Sequence, residues 1–281
     1  MKAGGATAAL PSFAPGTQIP KIIHQTFKTS DLPPIFRDNI ARLKETNPGW
    51  EHRFYDDAAV HHFIRENYGA DILAAFERIN PKYGAARADF FRYLLLYKEG
   101  GVYLDIKSTF TRPIDEILEP DDCYLLAGWR NRPGEPDEGY GMWKDLHMMP
   151  AGEFQQWHVI AAPGHPFLRA VIERVLSNID RYKPWRHGAS SMGVWRLTGP
   201  IAYSLAILPL LETHPHRAVR THPELGLAYS VMETPHWRLF PSHYMMLTDS
   251  VVTMKGLDRL LAQLCSLARQ VKRRLTGWQP D

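Results

Sequence analysis

Cysteine is scarce. Two residues, Cys123 and Cys265, stand far apart in 281 and form no metal or redox motif, which excludes a disulfide scaffold and makes a reduced, cytoplasmic-type chain the expectation. Charge of one sign is also lacking: 33 Lys and Arg against 30 Asp and Glu leave a formal +3, too near balance for a chain dominated by nucleic-acid binding. Any phosphate recognition must be local. Long apolar runs are missing too, since the longest, residues 201 to 211, is shorter than a bilayer span and contains Pro209, so no transmembrane anchor is expected. Internal repeats are absent. Residues 1–18 carry Gly, Pro and Thr where an export signal needs an unbroken apolar segment, and they read as a flexible lead-in.

What is present is a large core-forming fraction, 44% hydrophobic, which rules out disorder for most of the chain. From Ile19 onward strands and helices alternate, as in an α/β domain. IPKIIHQTF reads as a buried strand, and the stretch from Leu32 to Trp50 as a helix opened by Pro33 and Pro34 and stopped by Asn47, Pro48 and Gly49. EHRFYDD is a second strand, followed by helical stretches through Phe76. CYLLAGW and QQWHVIAAP read as further strands, residues 131–141 as a lid-like loop, and HPFLRAVIERVLSNI and TGPIAYSLAILPLLE as helices. His24 in the first strand reads as a core histidine, and the pair His61 and His62 lacks ligand spacing.

The most informative segment is YGAARADFFRYLLLYKEGGVYLDIKS, residues 83–108. A helix stops at Gly100 and Gly101, and a short strand follows that ends at Asp105. Open α/β sheets bind ligands at the carboxyl ends of their strands, so Asp105 is placed at the binding rim. Asp89 and Arg92, three residues apart, share one side of the helix. Two carboxylates and one guanidinium suit sugar hydroxyls and a diphosphate. On spacing alone Asp89 and Arg92 read more readily as a solvated ion pair, and Asp105 equally as a turn residue.

The runs IPKIIHQTF (19–27) and AARADFFRYLLLYKEGGVYLDIK (85–107) resemble glycosyltransferase family 32, which includes fungal initiating mannosyltransferases and capsular polysaccharide synthesis proteins and is distantly similar to clostridial glucosylating toxins. QQWHVIAAPGHPFLRAV and LTGP look like later blocks of the same family. The resemblance implies a GT-A fold, a Rossmann-like mixed sheet flanked by helices, spanning residues 19–255. It implies that Phe27 stacks on the nucleotide base, that Asp89 and Arg92 hold the donor sugar, and that Asp105 opens the DXD motif that gathers ribose, diphosphate and metal. Tyr103, one strand period before Asp105, should line the same pocket, although Phe27 and Tyr103 also suit ordinary core packing.

The sequence departs from that pattern at its third position, where Asp105-Ile106-Lys107 stands in place of a second Asp. An ammonium group repels a hard cation that seeks carboxylate oxygens. Either Lys107 replaces the metal beside the leaving diphosphate, or it points away and Asp105 keeps Mn²⁺ or Mg²⁺ with a ligand from the C-terminal half. The intact Asp105 and the downstream Glu233, His236, His243 and Asp249 lean toward the second, with His243 as partner ligand. His243 and Trp237 are kept as candidates because C-terminal loops close over the donor in such folds. The resemblance then implies a retaining hexosyltransferase. It would move a sugar from a UDP- or GDP-linked donor to a glycan or lipid-linked glycan hydroxyl in polysaccharide biosynthesis. A sugar-nucleotide-binding protein without turnover and a toxin-like transferase modifying a protein are the alternatives.

The last segment, residues 256–281, is a basic amphipathic helix and tail. Leu257, Leu260, Leu261, Leu264, Leu267 and Val271 fall at helical spacing, with Arg269, Lys272, Arg273 and Arg274 near the end. Such a helix either packs its leucines on the domain, the commoner fate, or rests them on the anionic inner face of a membrane, giving a cytoplasmic enzyme with peripheral attachment.

Overall fold

The computed structural model describes residues 9–233 and 244–276. A six-stranded sheet carries the fold: β1 (Ile22–Thr26), β2 (Glu51–Tyr55), β3 (Gly101–Leu104), β5 (Tyr124–Gly128), β6 (His158–Ala161) and β7 (Arg217–Thr221), in the order β2-β1-β3-β6-β5-β7. β1 runs parallel to β2 and β3, β6 is antiparallel to β3 and β5, and β5 is parallel to β7. The sheet is therefore mixed. A second, two-stranded sheet pairs β4 (Thr109–Phe110) with β8 (Leu227–Ala228).

Period-two alternation assigns the strand side chains to two cores. Val102, Leu104, Leu125, Ala127 and Ile160 face one side, with Leu43 from α1 (Pro34–Thr46). Tyr103, Tyr124, Leu126, Val159 and Ala161 face the other. There they meet α2 (Asp57–Glu77), α3 (Gly84–Glu99) and α4 (Pro166–Arg181). α3 is the central helix of that layer, buried continuously from Asp89 to Tyr97, which is broader than the one-sided face its sequence suggests. Burial of His24 is as expected. Its ring meets Tyr55 Oη at 3.1 Å and the Gly100 carbonyl at 3.0 Å, and desolvation holds its pKa down at about 3.

Gly100 and Gly101 turn the chain from α3 into β3 at φ of +66° and +98°. A Cβ on Gly101 would lie 2.7 Å from the Ile22 carbonyl oxygen, so only glycine lets β3 approach β1 this closely.

The stretch Ser190–Thr213 has the length and apolar composition of a membrane span. It folds instead as α6 (Ser190–Leu197), α7 (Pro200–Ile207) and a 3-10 turn ending at Thr213, broken at Thr198 and Gly199. Val194, Leu197, Tyr203 and Ile207 belong to the main core, and Ile201 packs with Leu146 and Met149 in a smaller cluster. The single helix read through TGPIAYSLAILPLLE thus ends at Ile207, and the tighter turn begins at Leu208 with Pro209 as its second residue.

Residues 9–18, read as part of a flexible lead-in, lie against the domain. Phe13 packs edge-on to Tyr68 and Tyr97, with ring centroids 5.6 and 5.2 Å away, and Gly16 donates its N–H to the Pro163 carbonyl. Periodicity could not show this, because one aromatic in a Gly/Pro-rich run has no local pattern.

Between α4 and α6 lies the single turn α5 (Pro184–His187), against which α8 (Gly256–Thr276) packs. α8 is oriented contrary to the commoner expectation. Its small and polar side, with Ala262 and Ser266 buried, faces the domain, and its leucines face outward.

Candidate active site

Four charged side chains converge where α3 and the end of β3 meet. Helical spacing puts Asp89 and Arg92 on one side of α3, and Arg92 Nη2 lies 3.0 Å from Asp89 Oδ1. The same nitrogen lies 3.0 Å from Asp105 Oδ1, and Lys107 Nζ lies 3.4 Å from Asp105 Oδ2. Asp89, Arg92, Asp105 and Lys107 thus form one alternating chain of charge. The guanidinium also sits 4.6 Å over the Tyr103 ring, which places Tyr103 in the same cluster. Asp105 has the most exposed side chain of the four, at 24% against 3% for Arg92, so a ligand reaches the cluster through Asp105.

The turn bearing Asp105 and Lys107 is held from several sides. Asp105 N–H donates to the Trp157 carbonyl, continuing the β3–β6 ladder, and its own carbonyl accepts from Ser108 N–H, each at 2.8 Å. Asn39 of α1 donates to the carbonyls of Ile106 and Ser108. Ser108 Oγ donates to the Tyr229 carbonyl, and Val231 N–H to the Lys107 carbonyl. This last pair brings the Tyr229 ring to 4.3 Å from Lys107 Nζ. Lys107 therefore does not point away. Its ammonium is buried between a carboxylate and an aromatic face.

Protonation follows from these contacts. Burial pushes the Asp89 carboxyl up to about 6 even though Arg92 pulls it down, and Asp105 adds a smaller upward push. Burial alone would lower Arg92, but Tyr103, Asp105 and Asp89 outweigh it and hold the guanidinium charged. Lys107 is likewise drawn down by desolvation and raised on balance by Tyr229 and Asp105. Both cations keep their charge at neutral pH.

Several contributors carry no charge signal in the sequence. Thr198 Oγ1 donates to Asp89 Oδ2 at 3.0 Å, and Tyr93 Oη donates to the Thr198 carbonyl. Gln156 accepts from Arg92 Nη1 through its backbone carbonyl and, at 2.7 Å, through Oε1. Both Thr198 and Gln156 fall inside LTGP and QQWHVIAAP, the blocks noted above, so a signal for them existed. Trp157 stands 5.4 Å from Tyr229, centroid to centroid, and its indole N–H is buried without a hydrogen-bond partner among the described residues, as is His158 Nδ1. Phe27 follows β1 and meets Phe36 edge-on at 5.8 Å, on the same strand-end rim as Asp105.

The metal expectation meets a different donor set. Both Asp105 oxygens already face cations, and no cluster of three His, Cys, Asp or Glu suited to a metal occurs among the described residues. Of the downstream candidates, Asp249 pairs with Lys82 at 2.9 Å on the surface and Glu233 is exposed, whereas His236, Trp237 and His243 lie outside the described residues. One carboxylate beside an ammonium and a guanidinium does not fit a hard divalent ion.

This mixed sheet, with a charged cluster at a strand end, is the GT-A glycosyltransferase fold. The ligand-free glycosyltransferase domain of the YGT toxin superposes with a TM-score of 0.54 over 89% of this chain and 90% of that domain, at 10% identity, a likeness of fold alone. Residues 33–124 match the family described as the glycosyltransferase sugar-binding region containing DXD motif. Among curated proteins the chain is similar to the initiation-specific alpha-1,6-mannosyltransferase of Candida albicans, 32% identical over 58% of this chain and 44% of that protein. It is also similar to the Schizosaccharomyces pombe protein of the same name (30%; 69% and 49%) and to that yeast's inositol phosphoceramide mannosyltransferase 3 (35%; 66% and 44%). The chain spans about half the length of these relatives or less.

Proposed function

We propose that this protein transfers a hexose from a nucleoside-diphosphate donor to a hydroxyl of a glycan or lipid-linked acceptor, with retention at the anomeric carbon. The observation that carries the reading is the buried chain Asp89, Arg92, Asp105, Lys107, which opens to solvent at Asp105. Mannose is the favoured sugar, because the names of the similar fungal proteins specify it.

In this reading Asp89, fixed by Arg92 and Thr198, accepts from a sugar hydroxyl, and Arg92 donates to the sugar and its phosphate. Phe27 stacks on the base. The anomeric C–O bond to the diphosphate breaks as the bond to the acceptor oxygen forms, and the acceptor's proton passes to the departing phosphate. Negative charge then grows on the diphosphate, and Lys107, held beside Asp105, lies where it neutralises that charge. Retention is favoured because no unengaged carboxylate stands in the cluster to act as the base that back-face, inverting attack needs. Asp89 is held by Arg92 and Thr198, and Asp105 by Arg92 and Lys107, so the departing phosphate takes the acceptor's proton on its own face. The acceptor then approaches on the face the diphosphate leaves, and burial of the cluster excludes water.

The test is transfer and donor hydrolysis across UDP- and GDP-sugars, with Mn²⁺, with Mg²⁺ and with EDTA, following the product anomer by NMR. Activity that survives EDTA and falls about 100-fold or more in Lys107→Ala is the expected result, in line with loss of a positioned charge stabiliser. Asp105→Asn should lose turnover while keeping its circular dichroism. Loss of activity in EDTA would return the metal, and calorimetric donor binding with neither hydrolysis nor transfer would leave a binding protein.

A further inference from the structure

α8 is an amphipathic helix turned inside out relative to the domain. Its polar residues make the inward contacts. Ser266 Oγ lies 3.0 Å from Thr248 Oγ1, and Arg269 donates to the Thr248 and Pro184 carbonyls. Arg273 donates to the Met245 and Met246 carbonyls and to Ser190 Oγ. Outward stand Leu257 (79% exposed), Leu264 (63%) and Leu275 (82%), with Leu260, Leu267 and Val271 between them. At about 100° per residue these side chains form one stripe some 30 Å long, with exposed Lys272 on one border and exposed Arg274 on the other. Exposed Trp185 and Arg186 belong to α5, against which α8 packs.

An apolar stripe of this length is not left facing water in a stable soluble surface. Its charge identifies what covers it. Asp258 is the sole acid of α8 and is engaged by Lys183, so the stripe's borders are cationic on both sides with no acidic counterpart. Two copies paired through this face would find no opposite charge along their seam, and Leu261 and Leu275 widen the stripe beyond the two-position seam of a helix pair. A surface of anionic headgroups over acyl chains satisfies both features, the leucines entering the boundary and the Lys and Arg reaching phosphates. We propose that α8 seats the protein on an anionic lipid surface. The inference deepens the transfer reading, on which it rests for its consequence that lipid-linked acceptors are met at that surface.

The experiment is flotation of the full chain with phosphatidylcholine vesicles, with and without phosphatidylserine. Binding should require the anionic lipid and weaken with salt. The double variant Lys272→Glu/Arg274→Glu should weaken partitioning about 30-fold or more, from about fivefold per lost cation. Leu264→Glu/Leu267→Glu should abolish it while circular dichroism and hydrolysis of a soluble donor remain, since these side chains face away from the domain. No flotation with anionic vesicles overturns the proposal, as does a wild-type dimer that Leu264→Glu/Leu267→Glu converts to monomer without vesicle binding. Vesicle binding needs no turnover, so failure here is separable from failure of the transferase reading, which the donor assay reports.

Discussion

At the scale of single residues, the cluster turns on Asp89, a carboxyl that burial raises and Arg92 restrains. A carboxylate that accepts from a sugar hydroxyl must be ionised, so donor turnover should fall as pH drops through about 6, and the acid limb should be missing from the residual activity of Asp89→Asn. Stability runs the other way. Because the folded-state value is raised, Asp89 contributes stability that is fully present below the ordinary carboxylate range and is lost as pH rises through about 6. Chemical denaturation at a series of pH values, wild type against Asp89→Asn, checks the sign. Arg92 is bound to two carboxylates and stacked on Tyr103, a geometry that uses the planar fork of guanidinium. Arg92→Lys keeps the charge and loses the fork, so donor affinity should fall at least tenfold with the fold retained. Removing the charge outright, as in Arg92→Ala, strands the buried Asp89 carboxylate, leaves Asp105 with Lys107 alone, and should cost about 3–5 kcal/mol of stability.

At the scale of elements, the segment 131–141 is tied down more firmly than its Gly/Pro-rich sequence suggests. Asn131 donates to the carbonyls of Tyr140 and Ala151, and Arg130 Nε lies 3.1 Å from Asp137 Oδ2. Its anchor is Glu153, a buried carboxyl that accepts from the indoles of Trp129 and Trp143. Burial pushes Glu153 up to about 7, and the two indole bonds pull it back only in part. The raised value means that the contribution of Glu153 is complete at acid pH and is lost as pH rises through about 7. Proteolysis within 131–141 should therefore quicken between pH 6 and 8 in the wild type, and Glu153→Gln should flatten that dependence while altering tryptophan fluorescence little.

At the scale of the whole molecule, α8 links the outer surface to the site. Arg273 and Arg269 hold the carbonyls of Met245, Met246 and Thr248, and this same segment carries Tyr244. Tyr244 is half-buried, desolvation raises its phenol, and it feels the charges of both Asp89 and Asp105. The helix proposed to bind lipid outward thus braces, on its inner side, the segment whose Tyr244 lies within the field of Asp89 and Asp105. Arg273→Ala should weaken donor binding several-fold in calorimetry while vesicle flotation is unchanged, because Arg273 lies on the face opposite the leucines. Equal loss of both would mean that α8 had come away from the domain.

Sequence alone determined the α3–Gly-Gly–β3 unit, because helical spacing, a glycine stop and a strand end are local signals. Singling out Asp89, Arg92 and Asp105 as site residues needed the family resemblance, since their spacing reads as readily as a solvated ion pair and a turn residue. Sequence also determined the leucine stripe of α8. Tertiary structure decided where these point. Lys107 could face either way until Tyr229, more than a hundred residues later, closed against it. Thr198 and Gln156 joined the cluster only through the packing of α6 and β6 on α3. The stripe of α8 turned outward because Arg269, Arg273 and Ser266 found carbonyls and a hydroxyl on the domain that leucine could not have satisfied, and no local pattern records the hydrogen-bond partners a distant segment will offer.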